Sequence, residues 1–186
     1  MAQPRIIEGD LLAQPVDVIV NPWNRNLIPW WLLLPRGVSG AIKARAGLAP
    51  FWELGGKGVL PLGGAVDTGA GRLPFKRIIH VAALHHYWVA DENTVFVSTK
   101  NALGLAENLG VDSIGIPLIG AGTGGVGHER SLLTILRACE GAQLDITIVV
   151  WPIPSSHVTL REMLKSVRLP FVGAPCPATK TVNPPT

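Results

Sequence analysis

The sequence lacks a long hydrophobic run. No apolar stretch reaches the ~18 residues that a membrane-spanning helix requires. The densest stretch, residues 27–34 (LIPWWLLL), is shorter and is interrupted by Pro29. The N-terminal residues, MAQPRIIEGD, do not have the charged-then-apolar pattern of a signal peptide. We therefore expect a cytoplasmic protein without a membrane segment.

Cysteine is also scarce, with Cys139 and Cys176 as the two examples in the chain. Two cysteines provide neither a disulfide framework nor the spacing of a metal site. The five histidines follow no metal-binding pattern either: His85 and His86 are adjacent, and His80 lies in an apolar run that marks it as a core side chain. The sequence therefore predicts no metal and no cofactor.

Several common functional motifs are absent. A Walker motif would need Gly-Lys-Ser/Thr, and no dinucleotide fingerprint stands near the N-terminus. No Ser-His-Asp arrangement has motif support, and Ser113 does not lie in a nucleophile elbow. The net charge is +3, but the basic residues are scattered along the chain and form no stripe. Direct nucleic-acid binding is therefore not indicated.

What the sequence does contain is typical of a folded α/β domain. Hydrophobic residues make up 47% of the chain and charged residues 16%, which excludes a disordered chain. Short apolar runs alternate with amphipathic segments and predict a mainly parallel or mixed sheet covered on both faces. The predicted strands are 5–8, 16–21, 64–67, 77–83, 113–119 and 145–151, and the predicted helices are 39–46, 95–109, 128–140 and 156–167. Residues 1–168 form the predicted domain, and the proline-rich residues 169–186 an extended or disordered tail.

Polar residues follow the first two predicted strands. Asp10 comes after the Ile6-Ile7 run, and Asn24 comes shortly after the run from Val16 to Val20. Ligands of open α/β sheets sit beyond the carboxyl ends of the strands, so these side chains predict one shared site. Asn21, at the end of the same run, is interpreted as satisfying buried backbone groups.

Two glycine-containing loops predict anion binding. The loop RGVSG, residues 36–40, leads into a predicted helix, whose N-terminus presents free backbone N–H groups. The loop GAGTGGVG, residues 120–127, follows a buried strand and precedes the helix that starts near His128. Successive N–H groups in such a turn form a nest for phosphate oxygens.

These segments, taken in order, resemble the macrodomain family, whose members bind ADP-ribose. The resemblance rests on GD-L, on VD-IVN--N with the following glycine loop and GAI, on GGAVDTGAGRLPFKRIIHVAA, and on SIGIPLIGAGTGGVG, and it covers residues 5–165. It implies a three-layer α/β/α sandwich around a mixed, mostly parallel, six-stranded sheet. It also implies ADP-ribose, free or attached to a macromolecule, as the ligand.

The resemblance assigns roles to individual residues. Asp10 would accept a hydrogen bond from the adenine amino group, the Leu11 backbone N–H would face the same ring, and Trp151 would stack on it. The distal ribose would lie beside Asn24. The pyrophosphate and distal ribose would contact the glycine loops at Gly37, Val38, Gly40, Gly120, Ala121, Gly122, Thr123, Gly124 and Gly125.

The chain departs from the family pattern around the distal ribose. Pro22 and Trp23 replace two alanines, and the usual glycine run is reduced to Gly37 and Gly40. Ser39 stands where many hydrolytic relatives carry an aspartate, and a serine is a poor general base. We therefore predict slow hydrolysis of ADP-ribosyl linkages, with Asn24 and Ser39 at the reaction centre.

Two further interpretations concern the walls of the pocket. Gly124 stands where many relatives place a Tyr or Phe against the ribose, which predicts a more open distal pocket. The run Trp30 to Leu34 is either a hydrophobic segment packed on the core or an exposed lid or interface patch. The alternatives to hydrolysis are a non-catalytic ADP-ribose-binding module and a phosphatase acting on ADP-ribose 1''-phosphate. The sequence makes no prediction of oligomeric state.

Overall fold

The structure, a computed structural model, describes residues 3–32, 35, 37–85 and 89–151. The strands are β1 (Arg5–Glu8), β2 (Val18–Trp23), β3 (Ala65–Thr68), β4 (Arg77–Ala82), β5 (Ser113–Pro117) and β6 (Asp145–Val150). The helices are α1 (Gly37–Ala46), α2 (Ala49–Gly56), α3 (Glu92–Asn108) and α4 (His128–Cys139), with a short 3-10 helix at Leu11–Ala13.

The strands form one six-stranded sheet in the order β1-β6-β5-β2-β4-β3. All neighbouring pairs are parallel except β3 and β4, which are antiparallel. The predicted mixed, mostly parallel sheet is therefore confirmed. Because β1, β6, β5 and β2 run in the same direction, their carboxyl ends meet at one edge.

Side chains alternate between the two faces of the sheet and build one core on each. Val18 and Val20 belong to a buried cluster that includes residues of α3 and α4. Ile19 and Trp23, at the alternate positions of the same strand, belong to a second cluster that includes residues of α1 and α2. Helices thus cover both faces, which confirms the predicted three-layer architecture.

The described helices differ from the prediction most clearly at α2 and at the start of α3. Helix α2 was not predicted, although its Phe51 and Leu54 are completely buried. Helix α3 starts before the predicted residue 95, because the Asp91 carboxylate caps it by accepting a hydrogen bond from the Thr94 N–H at 2.6 Å. The predicted helix 156–167 and tail 169–186 lie outside the described residues.

A chain of hydrogen bonds crosses the α1/α2 side of the core. His80 Nδ1 accepts from Asn21 Nδ2 at 2.9 Å, and His80 Nε2 donates to Thr68 Oγ1 at 2.8 Å, while that hydroxyl donates to the Gly69 carbonyl. Complete burial lowers the pKa of His80 from 6.5 to about 3, so the ring is neutral at pH 7. His80 is confirmed as a core side chain, whereas the interpretation of Asn21 is wrong, because its side chain bonds an imidazole and not the backbone.

Candidate ligand-binding cleft

A cleft of about 730 Å³ opens at the carboxyl edge of the sheet. Residues that follow β1, β2, β5 and β6 line it, together with the first turn of α1. Of the residues predicted for the site, the lining contains Asp10, Leu11, Asn24, Gly37, Val38, Ser39, Gly120, Ala121, Gly122, Thr123, Gly124 and Trp151. The fold therefore brings together side chains that are far apart in sequence.

Gly40 and Gly125, both predicted to contact the ligand, are not part of this lining. A Cβ atom at Gly40 would lie 2.5 Å from the Pro35 carbonyl oxygen, so the glycine is required where the chain packs against the start of α1. Gly125 has a φ of +75° and its N–H donates to the Gly122 carbonyl at 3.1 Å. Backbone packing thus accounts for Gly40 in α1 and for Gly125 in the loop before α4.

Pairing of β1 with β6 places Asp10 and Trp151 at the same end of the cleft. The Gly9 N–H, next to Asp10, donates to the Val150 carbonyl, next to Trp151, at 3.0 Å. Asp10 Oδ1 accepts from the Leu12 N–H at 2.9 Å. The Trp151 side chain is 55% exposed and leaves its ring accessible. This end offers a carboxylate beside an open aromatic surface.

Sequence reasoning missed Arg45, which holds the same carboxylate. Its Nη1 lies 2.7 Å from Asp10 Oδ2, across 35 residues of sequence. Arg72 in turn donates to the carbonyls of Ala44 and Arg45 at 3.2 Å and so fixes the last turn of α1. The only signal available in the sequence was the position of Arg45 on a predicted helix, which does not specify a partner.

The loop between β5 and α4 forms the middle of the cleft. Gly120 and Gly127 have φ values of +76° and +84°, which L-residues with side chains rarely adopt. The Gly124 carbonyl accepts from the Ala90 N–H at 2.9 Å, so a neighbouring segment holds the loop. His128, the first residue of α4, also lines the cleft and was not among the predicted site residues.

The structure gives another reason for the glycine at position 124. A Cβ atom there would lie 2.8 Å from Gly120 Cα and 2.9 Å from Ala90 Cβ. No side chain fits at this position in the observed loop conformation. Close packing inside the loop thus gives a structural reason for glycine at position 124, while the more open distal pocket stays a prediction.

Asn24 and Ser39 stand at the end of the cleft formed by β2 and α1. Asn24 Oδ1 accepts from the Asn26 N–H at 2.7 Å. Ser39 is 8% exposed, and its Oγ atom has no hydrogen-bond partner among the described residues. A buried hydroxyl without a protein partner in a cleft is available to a ligand or a water molecule.

The bulky Trp23 does not close this end of the cleft. Its ring packs on Phe51 with the centroids 5.4 Å apart, and its Nε1 donates to Asn26 Oδ1 at 2.7 Å. The residue is 3% exposed. Trp23 therefore packs into the core between β2 and α2, and it also contributes to the lining of the cleft.

Different residues of the segment that starts at Trp30 agree with different interpretations, the core segment and the exposed patch. Trp30 is 8% exposed and packs edge-on against Trp52 at 4.8 Å, as a core segment would. Trp31 and Leu32 are 64% and 63% exposed, as in a lid or interface patch. Leu33 and Leu34 lie outside the described residues.

The described part of the chain contains no group of three or more His, Cys, Asp or Glu side chains that could hold a metal ion. It also has no helix that is both long and apolar enough to span a membrane. Burial raises the pKa of the Cys139 thiol to about 12, which keeps it protonated and unreactive.

The family model described as Macro domain matches residues 20–135. The chain belongs to the macrodomain family. The predicted resemblance is thus confirmed, and the matched residues run from within β2 to within α4, including Asn24, Ser39 and the Gly120–Gly127 loop.

Individual relatives agree with this assignment. The macrodomain is 36% identical over 141 residues to an O-acetyl-ADP-ribose deacetylase of Klebsiella pneumoniae, covering 73% of this chain and 78% of the relative. It is 33% identical over 150 residues to an uncharacterized protein of Aquifex aeolicus, covering 78% and 88%. Among solved structures, a mutant Oceanobacillus iheyensis macrodomain with ADPR superposes with a TM-score of 0.70 at 26% identity, covering 88% of this chain and 92% of the other.

Proposed function

We propose that this macrodomain binds ADP-ribose, free or attached to a macromolecule, and slowly hydrolyses the linkage to the carrier. The observation that carries the proposal is that one cleft is lined by the Asp10 carboxylate, the exposed Trp151 indole, the glycine loop that starts at Gly120, and Asn24. The similar deacetylase of Klebsiella pneumoniae and the ADPR-bound macrodomain of Oceanobacillus iheyensis support the same ligand.

The adenine fits the end formed by Asp10 and Trp151. An ionised carboxylate accepts hydrogen bonds and cannot donate them, so it selects the adenine amino group over a base with a carbonyl at that edge. Stacking on the exposed indole would contribute about 1–3 kcal/mol, as for other bases on aromatic side chains. The N–H of Leu11 stands next to this carboxylate in the chain and offers a second, directional contact.

The pyrophosphate fits the loop from Gly120 to Thr123. No Lys or Arg side chain belongs to the described lining of the cleft. Backbone N–H groups of the loop would supply positive potential for the phosphates. Helix α4 starts at His128 directly after this loop, and its N-terminal dipole end favours an anion there.

The distal ribose then lies between Asn24 and the first turn of α1. In the proposed reaction a water molecule attacks the anomeric carbon, the bond from that carbon to the carrier breaks, and the carrier leaves with a proton from the water. The unpartnered Ser39 hydroxyl is placed to hold this water, but it is a poor base at pH 7. The rate enhancement would therefore come mainly from positioning and electrostatics.

Asp10→Ala is expected to weaken ADP-ribose binding by about 1.5–3 kcal/mol, because a hydrogen bond to a charged acceptor is lost. Titration calorimetry of the folded variant against the wild type measures this loss. AMP should bind the wild type more weakly than ADP-ribose, since it lacks the contacts of the pyrophosphate and distal ribose. Unchanged affinity in the variant would make Asp10 a turn residue, and a wild type that does not bind ADP-ribose would refute the proposed function.

Asn24→Ala is expected to lower the already slow turnover by about tenfold, because one directional contact to the distal ribose disappears. The measurement is the release of ADP-ribose from modified protein and from modified nucleic acid, compared with the wild type. Fast turnover that is indifferent to Asn24 would place the chemistry elsewhere. If neither carrier is cleaved, the protein is a binding module, and phosphate release from ADP-ribose 1''-phosphate would instead identify a phosphatase.

A further inference from the structure

Asn26 has a backbone conformation that is uncommon for its residue type. Its φ of 59° is in the left-handed region, and it is the non-glycine residue with positive φ in the described ranges. Asparagine tolerates this region better than most residues, but such a conformation persists only where surrounding contacts impose it. Asn26 stands two positions after Asn24, on the segment that leaves β2 at the cleft.

Four hydrogen bonds impose the conformation. Asn26 Oδ1 accepts from Trp23 Nε1 at 2.7 Å. Its Nδ2 group donates to the Leu54 carbonyl at 2.8 Å and to the Gly58 carbonyl at 3.0 Å. Its backbone N–H donates to Asn24 Oδ1 at 2.7 Å. The side chain thus ties the end of β2 to the last turn of α2 and the turn beyond it.

The fourth bond decides how Asn24 faces the cleft. Because Asn24 Oδ1 accepts the Asn26 N–H, the two hydrogens on Asn24 Nδ2 remain for the cleft, which Asn24 lines. A ribose hydroxyl oxygen can accept from that amide. An Asn24 side chain freed from this bond could rotate and lose the preferred direction.

We propose that Asn26 is the positioning residue that holds Asn24 as a hydrogen-bond donor to the distal ribose. The inference rests on the proposed function, and it extends it to a residue outside the lining of the cleft. Trp23 contributes to the same arrangement, because its indole N–H donates a hydrogen bond to Asn26 Oδ1 while its ring packs on Phe51. The large residue next to Asn24 thus anchors the segment that orients it.

The test compares two ligands that differ by the distal ribose. Asn26→Gly keeps access to positive φ but removes the three side-chain hydrogen bonds. ADP-ribose affinity is expected to fall about tenfold, while ADP, which lacks the distal ribose, should bind as to the wild type within about twofold. Calorimetry gives the ratio of variant to wild-type affinity for each ligand. A role confined to folding would weaken both ligands alike.

Two further variants complete the design. Trp23→Phe keeps an aromatic ring on Phe51 but removes the donor to Asn26, so a smaller loss confined to ADP-ribose is expected even if Asn26→Gly does not fold. Asn101→Ala is the matched control, because it removes an asparagine donor to a backbone carbonyl, that of Gly63 at 2.9 Å, away from the cleft. It should leave both affinities unchanged.

The outcomes distinguish the inference about Asn26 from the proposed function. A selective loss of ADP-ribose affinity in Asn26→Gly or Trp23→Phe supports the inference. Equal losses for both ligands, or no loss in either variant, overturn it while leaving the proposed function intact. A wild type that binds ADP no more weakly than ADP-ribose would show instead that the distal ribose makes no contact with Asn24.

Discussion

Replacing Phe51 with alanine is expected to lower the free energy of unfolding by about 3–5 kcal/mol, the usual range for a buried phenylalanine. The side chain is completely buried on helix α2. It packs on Trp23 with centroids 5.4 Å apart and on His80 at 6.0 Å, so alanine would leave a cavity between β2, β4 and α2. Urea denaturation followed by circular dichroism measures the change.

The neighbouring aromatic residue on the same helix provides the control. Trp52 is 66% exposed and contacts Trp30 at its edge. Trp52→Ala is expected to cost less than about 1 kcal/mol, because little apolar surface is buried there. Equal losses in the two variants would mean that Phe51 does not fill the core in the way the structure shows.

The sequence did not reveal helix α2 because its pattern is not periodic. The segment APFWELGG places exposed Trp52 next to buried Phe51 and ends in two glycines, which are poor helix formers. With eight residues it spans little more than two turns. Its helical state follows from the packing of Phe51 and Leu54 on the sheet, which local propensity does not encode.

The four central strands, β2, β4, β5 and β6, were easier to predict, since each contains a β-branched or apolar run that the sheet buries on both faces. The position of Pro22 shows where such reasoning stops. The prediction ended β2 at residue 21, whereas the strand continues to Trp23. Proline is tolerated there because β2 pairs with β5 at Val18 and Ile19 alone and retains just β4 as a neighbour at Pro22.

The site was predictable as a set of strand ends and loops but not in its contacts. The resemblance and the strand order bring Asp10 and Asn24 to one edge, and the structure agrees. The Asp10–Arg45 ion pair joins residues 35 positions apart, which no motif indicates. The role of a glycine was also hard to predict. Gly124 is required because a side chain there would clash with Gly120, but the sequence does not distinguish such a glycine from one that makes room for a ligand.

The free energy of unfolding is expected to fall as the pH is lowered from about 6.5 towards 3, because burial lowers the pKa of His80 to about 3. Within this window the unfolded chain binds a proton at His80 and the folded protein does not. Lowering the pH therefore favours the unfolded state. The contribution of neutral His80 to the free energy of unfolding is complete above pH 6.5. Below that pH it decreases by about 1.4 kcal/mol per pH unit, and the total loss down to pH 3 is about 4–5 kcal/mol. Urea denaturation at pH 7, 6, 5 and 4.5 measures the slope.

Two carboxylates also lose stabilising contacts in acid, but at lower pH. The hydrogen bond from Lys76 lowers the pKa of Asp17 from 3.8, and the backbone N–H of Thr94 lowers that of Asp91 from the same value. Both contributions are present above pH 3.8 and are lost below it, so measurements at pH 4.5 and above avoid the loss of these two contacts. His80→Gln, whose amide can still donate and accept but cannot titrate here, should flatten the slope whatever its stability at pH 7. An unchanged slope in this variant would mean that a different group takes up the proton.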